Sequence, residues 1–95
     1  MSNRKEYIDK LSDQLKKWDN EIEKLEMKAN QAKTGAKSDY QQHLEKLRSK
    51  REEAGNKIKE IREASDEAWQ ELKIGTEVAF ETMKNAMDNA VSKFK

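Results

Sequence analysis

Cysteine and proline are missing from this chain altogether, and histidine occurs once among its 95 residues. Without cysteine there is no disulfide, no thiol chemistry and no cysteine-based metal site. Without proline, and with only three glycines, the chain carries almost no helix breakers. His43 has neither a cysteine nor a second histidine to join it as a metal ligand, and is read as a solvated surface residue. The residue three before it is Tyr40, so the Glu-x-x-His pair of di-metal helix bundles is absent too. The glycines stand alone and form no phosphate-binding loop. No stretch approaches the roughly 20 apolar residues of a membrane span. The opening Met-Ser-Asn-Arg-Lys-Glu leads into no apolar run and is read without a secretory signal, so the expected compartment is the cytoplasm.

Charge of one sign is lacking as well. Twenty basic residues face nineteen acidic ones. By segment, residues 1–37 carry nine basic and seven acidic side chains, residues 38–65 seven and six, and residues 66–95 four and six. None of these is the basic stripe that phosphate contacts require, which argues against a nucleic-acid partner. The carboxylates are interleaved with Lys and Arg on polar faces, not isolated in apolar surroundings that would raise a pKa, so no catalytic site is expected. The chain is read as non-enzymatic, with no cofactor and no metal.

What the chain does have is helix-forming material. Ala, Glu, Lys, Leu and Arg make up 48 of the 95 residues, the mark of long helices and coiled coils. Residues Ile8, Leu11, Leu15, Trp18, Ile22, Leu25, Ala29 and Ala32 alternate by three and four, an a/d seam over more than three heptads. Acid-then-base pairs such as Glu6 with Lys10 and Asp13 with Lys17 flank it, each adding about 0.2–0.5 kcal/mol to an exposed helical face. The spacing resumes with Tyr40, Leu44, Leu47, Arg51, Ala54, Ile58, Ile61, Ser65, Ala68 and Leu72, where Arg51 and Ser65 are polar at seam positions. A polar seam residue either fixes register or sits at the edge of a narrow seam.

A turn is expected at 34–38. Gly35 would be the left-handed residue closing one helix, and Ser38 with Gln41 has capping-box spacing for the next. Ser65-Asp66-Glu67 also resembles an N-cap followed by acids. No Gly or Pro lies between Lys57 and Ile74, however, which favours one helix from Ser38 to the C-terminus. Such a helix would be roughly 87 Å long at 1.5 Å per residue.

The last thirty residues repeat every eleven. Ala68, Ala79 and Ala90 recur at one position, Trp69, Phe80 and Val91 at the next, then Leu72, Met83 and Phe94, with Lys73, Lys84 and Lys95 following. Eleven residues make almost three whole turns, so the apolar stripe runs nearly straight, whereas the upstream heptads favour left-handed supercoiling. The packing rules therefore change near Ser65–Trp69. The Met- and Phe-rich face of Trp69, Leu72, Phe80, Met83, Met87, Val91 and Phe94 is adaptable and suits a partner helix or a lipid surface.

The stretch Glu6–Lys33, EYIDKLSDQLKKWDNEIEKLEMKANQAK, together with Arg62–Gly75, REASDEAWQELKIG, resembles a family of short bacterial coiled-coil proteins, some labelled stress-response proteins. That resemblance covers nearly the whole chain and implies a bacterial protein with no known enzymatic activity. The eleven-residue units look like those of exchangeable apolipoproteins and desiccation-protective helices, in period and polarity only.

The expectation is a single all-α domain of long amphipathic helices. The preferred form is a helical hairpin or coiled coil, with one helix at about 3–33, a turn at about 34–38 and a second helix at about 39–94, either continuous or broken near 65. Alternatives are an antiparallel three-helix bundle (3–33, 39–64 and 66–94) and a single continuous rod. The expected function is that of a structural or interaction protein that forms homo-oligomers. Its self-association seam would comprise Ile8, Leu11, Leu15, Trp18, Ile22, Leu25, Leu44, Leu47, Ile58 and Ile61. The alternative is a stress-protective helix that covers membranes or exposed apolar surfaces through Trp69–Phe94.

Overall fold

A computed structural model describes residues 3–93. They form three α-helices: α1 (Asn3–Gln31), α2 (Thr34–Glu63) and α3 (Ala68–Lys93). Among the described residues there is no strand. The helices fold back on one another into an all-α bundle of 51 × 18 × 18 Å. α1 and α3 run parallel to each other and antiparallel to α2.

The heptad stripe decides which face of α1 is covered. Ile8, Leu15, Trp18, Ile22, Leu25 and Ala29 are buried, and Leu11 is half-buried against the same core. On α2 the stripe continues with Leu44, Leu47, Ala54, Ile58 and Ile61. On α3 the buried set is Trp69, Thr76, Phe80, Met83, Met87 and Ala90, spaced as the eleven-residue repeat requires. One polar side chain sits among them. Thr76 is fully buried, and its hydroxyl donates to the Leu72 carbonyl at 2.9 Å, so its burial leaves no donor unpaired.

The first turn departs from the expected chemistry. α2 begins at Thr34, and no glycine has a positive φ, so Gly35 is a first-turn helical residue and not a left-handed cap. Lys33 reverses the chain instead, in an extended conformation (φ −67°, ψ 155°). The Ala36 and Lys37 amides both donate to the Lys33 carbonyl at 3.0 Å. Ser38 therefore lies inside a helix already under way, and its capping-box spacing goes unused. Ala29 is fully buried beside this turn, and Ala32 and Ala36 are half-buried; such small side chains let the two backbones approach closely.

The expected uninterrupted helix from Ser38 onward is broken. α2 ends at Glu63, and Ala64 is extended (φ −73°, ψ 158°), a conformation any residue adopts, so the turn needs neither Gly nor Pro. Ser65 then nucleates α3. Its hydroxyl accepts from the Ala68 amide at 3.1 Å and its carbonyl accepts from the Trp69 amide at 3.1 Å. Folding back at this point lets the eleven-residue stripe of α3 bury itself against α2, where a straight helix of roughly 87 Å would leave it in water.

Candidate interaction surface

The three sides of the bundle are not equally closed. α2 packs extensively on both α3 and α1, whereas α1 and α3 approach each other over only a short stretch. The α1–α3 side is the open one.

Its N-terminal end is tightly clasped. Arg4 precedes Ile8 by one helical turn and so lies on the covered side of α1. Its guanidinium donates to the Ala64 carbonyl at 2.7 Å and the Ile61 carbonyl at 3.4 Å, and forms an ion pair with Asp66. These carbonyls lie at the end of α2, where backbone acceptors run short of helical partners; that of Ile61 also accepts from the Ala64 amide at 3.4 Å. Arg4 also lies 5.8 Å from the centroid of the Trp69 ring. Lys73 sits 5.1 Å from the Tyr7 ring and 5.4 Å from that of Trp69, while the two rings are 6.1 Å apart. One cation thus bridges two aromatic faces. In the sequence, the one sign of this role for Arg4 is its place one turn ahead of the seam.

Further along, Trp18 and Phe80 meet with ring centroids 5.4 Å apart. Around them the helices leave a groove of about 520 Å³. Tyr7, Leu11, Gln14 and Trp18 line it from α1, and Glu77, Phe80, Glu81, Lys84 and Asp88 from α3. The floor is apolar and aromatic, and the α3 wall is net acidic. The Tyr7 hydroxyl is buried without a hydrogen-bond partner. Burial, reinforced by the charge of Glu77, raises the Tyr7 pKa above its ordinary value of 10.0.

The opposite side of α1 is fixed to α2 by charge. Arg51 donates to both carboxylate oxygens of Asp19, at 2.8 and 3.1 Å, and Arg48 to Glu26 at 2.7 Å. The Asp19 hydrogen bonds raise the Arg51 pKa, partial burial opposes them, and the carboxylate charge adds to the rise.

The residues expected to form a self-association seam are thus brought together inside one chain. All ten are buried or half-buried by that chain's own helices. Of those expected to meet a partner or lipid, Trp69, Phe80, Met83 and Met87 are buried, Leu72 is half-buried and Val91 is 36% exposed; Phe94 lies outside the described residues. The most exposed apolar side chains on α3 are different ones. Ile74 and Val78 are 72% and 61% exposed, one turn apart on its outer face. Their exposure was not foreseen, because both fall outside the eleven-residue stripe.

His43 is half-buried, not a freely solvated residue, and lines a small cleft with Lys46, Leu47, Ala86 and Asn89. Among the described residues no three His, Asp or Glu side chains gather where they could hold a metal ion. No described helix is long and apolar enough to cross a membrane.

Comparison of the chain with protein-family models, with curated proteins and with solved structures returns no match.

Proposed function

We propose that this chain is a non-enzymatic interaction protein that self-associates, and that it does so as a folded three-helix bundle through its α1–α3 side. The observation that carries the reading is the uneven closure of the bundle. The heptad seam is spent on the chain's own core, while the α1–α3 groove leaves Tyr7 and Leu11 half-buried above Trp18 and Phe80. A concave apolar strip with a charged rim is the common anatomy of a helix-docking surface.

The resemblance of Arg62–Gly75 and Glu6–Lys33 to short bacterial coiled-coil proteins supports a contact-based role of this kind, in the cytoplasm of a bacterium and connected with stress. A membrane-covering role through Trp69–Phe94 would require α3 to leave the bundle, since Trp69, Phe80, Met83 and Met87 are buried in it. The exposed pair Ile74 and Val78 covers too little of the helix for stable insertion into an interface.

Sedimentation equilibrium tests the proposal. Association in the micromolar range, with helical content unchanged on dilution, is the expected result. A monomer at tens of micromolar would refute self-association.

A further inference from the structure

The α1–α3 side carries two rows of charge whose signs and heights match each other. α1 and α3 are parallel, and two ring contacts fix their relative height. Tyr7 meets Trp69 and Trp18 meets Phe80, both pairs 62 positions apart. Asp19 and Glu26 face α2, so the surface of α1 about half a circumference away holds Glu6, Lys10, Lys17, Glu21, Lys24 and Lys28. Over the heights of Glu77–Asp88 that row is Lys17, Glu21, Lys24 and Lys28, with three positive charges and one negative. On α3 the row over the same heights is Glu77, Glu81, Lys84 and Asp88, with three negative charges and one positive, and Lys73 precedes it.

From Lys17 to Lys28 the signs oppose level by level, whereas Lys10 is level with position 72, beside Lys73 of like charge. Lys17 is level with position 79, between Glu77 and Glu81. Glu21 is level with position 83, beside Lys84. Lys24 and Lys28 are level with positions 86 and 90, on either side of Asp88. Each offset is two residues or fewer, about 3 Å along the helix axis. Yet among the described residues no ion pair joins α1 to α3 within the chain; Glu21 reaches only Lys24 of its own helix, at 3.7 Å.

We infer that this side takes a second copy of the chain, the two bundles lying parallel about a two-fold axis along the helices, with α1 of one copy set on α3 of the other. This rests on the self-association proposed above and names its surface and geometry. The charges choose the axis. A two-fold perpendicular to the helices would set α1 on α1 and α3 on α3, basic row on basic and acidic on acidic. The axis along the helices sets each basic row on an acidic one, twice by symmetry. It also brings the two grooves face to face, covering Leu11 and the exposed edge of Tyr7.

Charge reversal with complementation tests it. Lys17 and Glu81 are both exposed, so their reversal leaves the core intact. Lys17→Glu alone and Glu81→Lys alone each create two like-charge contacts per dimer, and each should weaken self-association about tenfold or more at low salt. Mixing the two variants should restore it. In the mixed dimer the two reversed side chains meet each other with opposite signs, and the native Glu81 of one copy meets the native Lys17 of the other. Closure of the groove within one chain could not give that recovery. Sedimentation velocity of each variant and of the equimolar mixture reads the result, with circular dichroism confirming the fold. If either variant fails to fold, Lys28→Glu and Asp88→Lys repeat the test further along the same two rows. A wild-type protein that stays monomeric overturns both this inference and the self-association it rests on. A wild-type dimer that ignores the reversals, or that the mixture does not restore, overturns this inference alone.

Discussion

Arg51 of α2 grips Asp19 of α1 through two parallel hydrogen bonds, from Nε at 2.8 Å and from the second terminal nitrogen at 3.1 Å. The pair spans 32 positions of sequence and sets the height of one helix against the other. Both side chains are more than a third exposed, so solvent screens much of the attraction. A double-mutant cycle with Asp19→Ala and Arg51→Ala should therefore show a coupling of about 1 kcal/mol or less, shrinking in high salt. Each single variant should melt slightly lower than wild type with its helical content preserved. A coupling indistinguishable from zero at low salt would mean that packing alone sets the register.

The two serines with capping potential make a second test. Ser65 accepts from the Ala68 amide and starts α3, whereas Ser38 lies four residues into α2. Ser65→Ala should cost about 1 kcal/mol in chemical denaturation. Ser38→Ala replaces a helical serine with the best helix former and should cost nothing. Equal losses at the two sites, or a loss only at Ser38, would place the chain reversal elsewhere.

Much of the bundle was legible in advance, for reasons that differ by element. The seam from Ile8 to Leu25 was readable because periodicity is local. An apolar stripe must be covered whatever covers it, and here the cover is α2 and α3. The partner was not readable, because the same stripe serves equally for a second chain. Near Ser65–Trp69 the change of period marked the reversal, but the lack of Gly and Pro weighed against it. The structure turns there with Ala64 merely extended, a route that composition does not advertise. Gly35 misled in the opposite sense: a residue suited to a left-handed cap was used as ordinary helix. The partners of Arg4 and Arg51 depend on which helices fold together, and no local pattern carries that information.

Glycine substitutions separate helix propensity from packing. A Cβ at Gly75 would meet nothing closer than Lys57 Nζ at 3.9 Å, an ordinary contact. Gly75→Ala should therefore stabilise the bundle by about 0.5–1 kcal/mol. For a domain of this size, 1 kcal/mol corresponds to a melting point about 4–8 °C higher. At Gly55 the added Cβ would lie 2.8 Å from a terminal nitrogen of Arg51, displacing the guanidinium that holds Asp19. Gly55→Ala should gain less than Gly75→Ala, and the difference should vanish in an Arg51→Ala background. Persistence of the difference there would trace it to something other than Arg51.

Tyr7 supplies a prediction whose size depends on pH. Its hydroxyl is buried without a partner at the edge of the α1–α3 groove, while its ring packs near Trp69. Tyr7→Phe keeps the ring and removes the unpaired polar group, so at neutral pH it should stabilise the protein by about 1 kcal/mol. Burial and Glu77 raise the Tyr7 pKa above 10.0 in the fold, favouring the neutral phenol there. The associated stability is fully present below the unfolded pKa, and it is lost as pH rises past 10.0 toward the higher folded value. Wild type therefore forfeits a contribution in alkali that the phenylalanine variant never had, and the gap between them should widen above about pH 10. Urea denaturation of both proteins at about pH 7, 9 and 10.5 measures it. A gap that narrows with pH would show that the folded environment favours the phenolate, placing a compensating cation (Lys73 is the nearest candidate, 5.1 Å from the ring) in control of this residue.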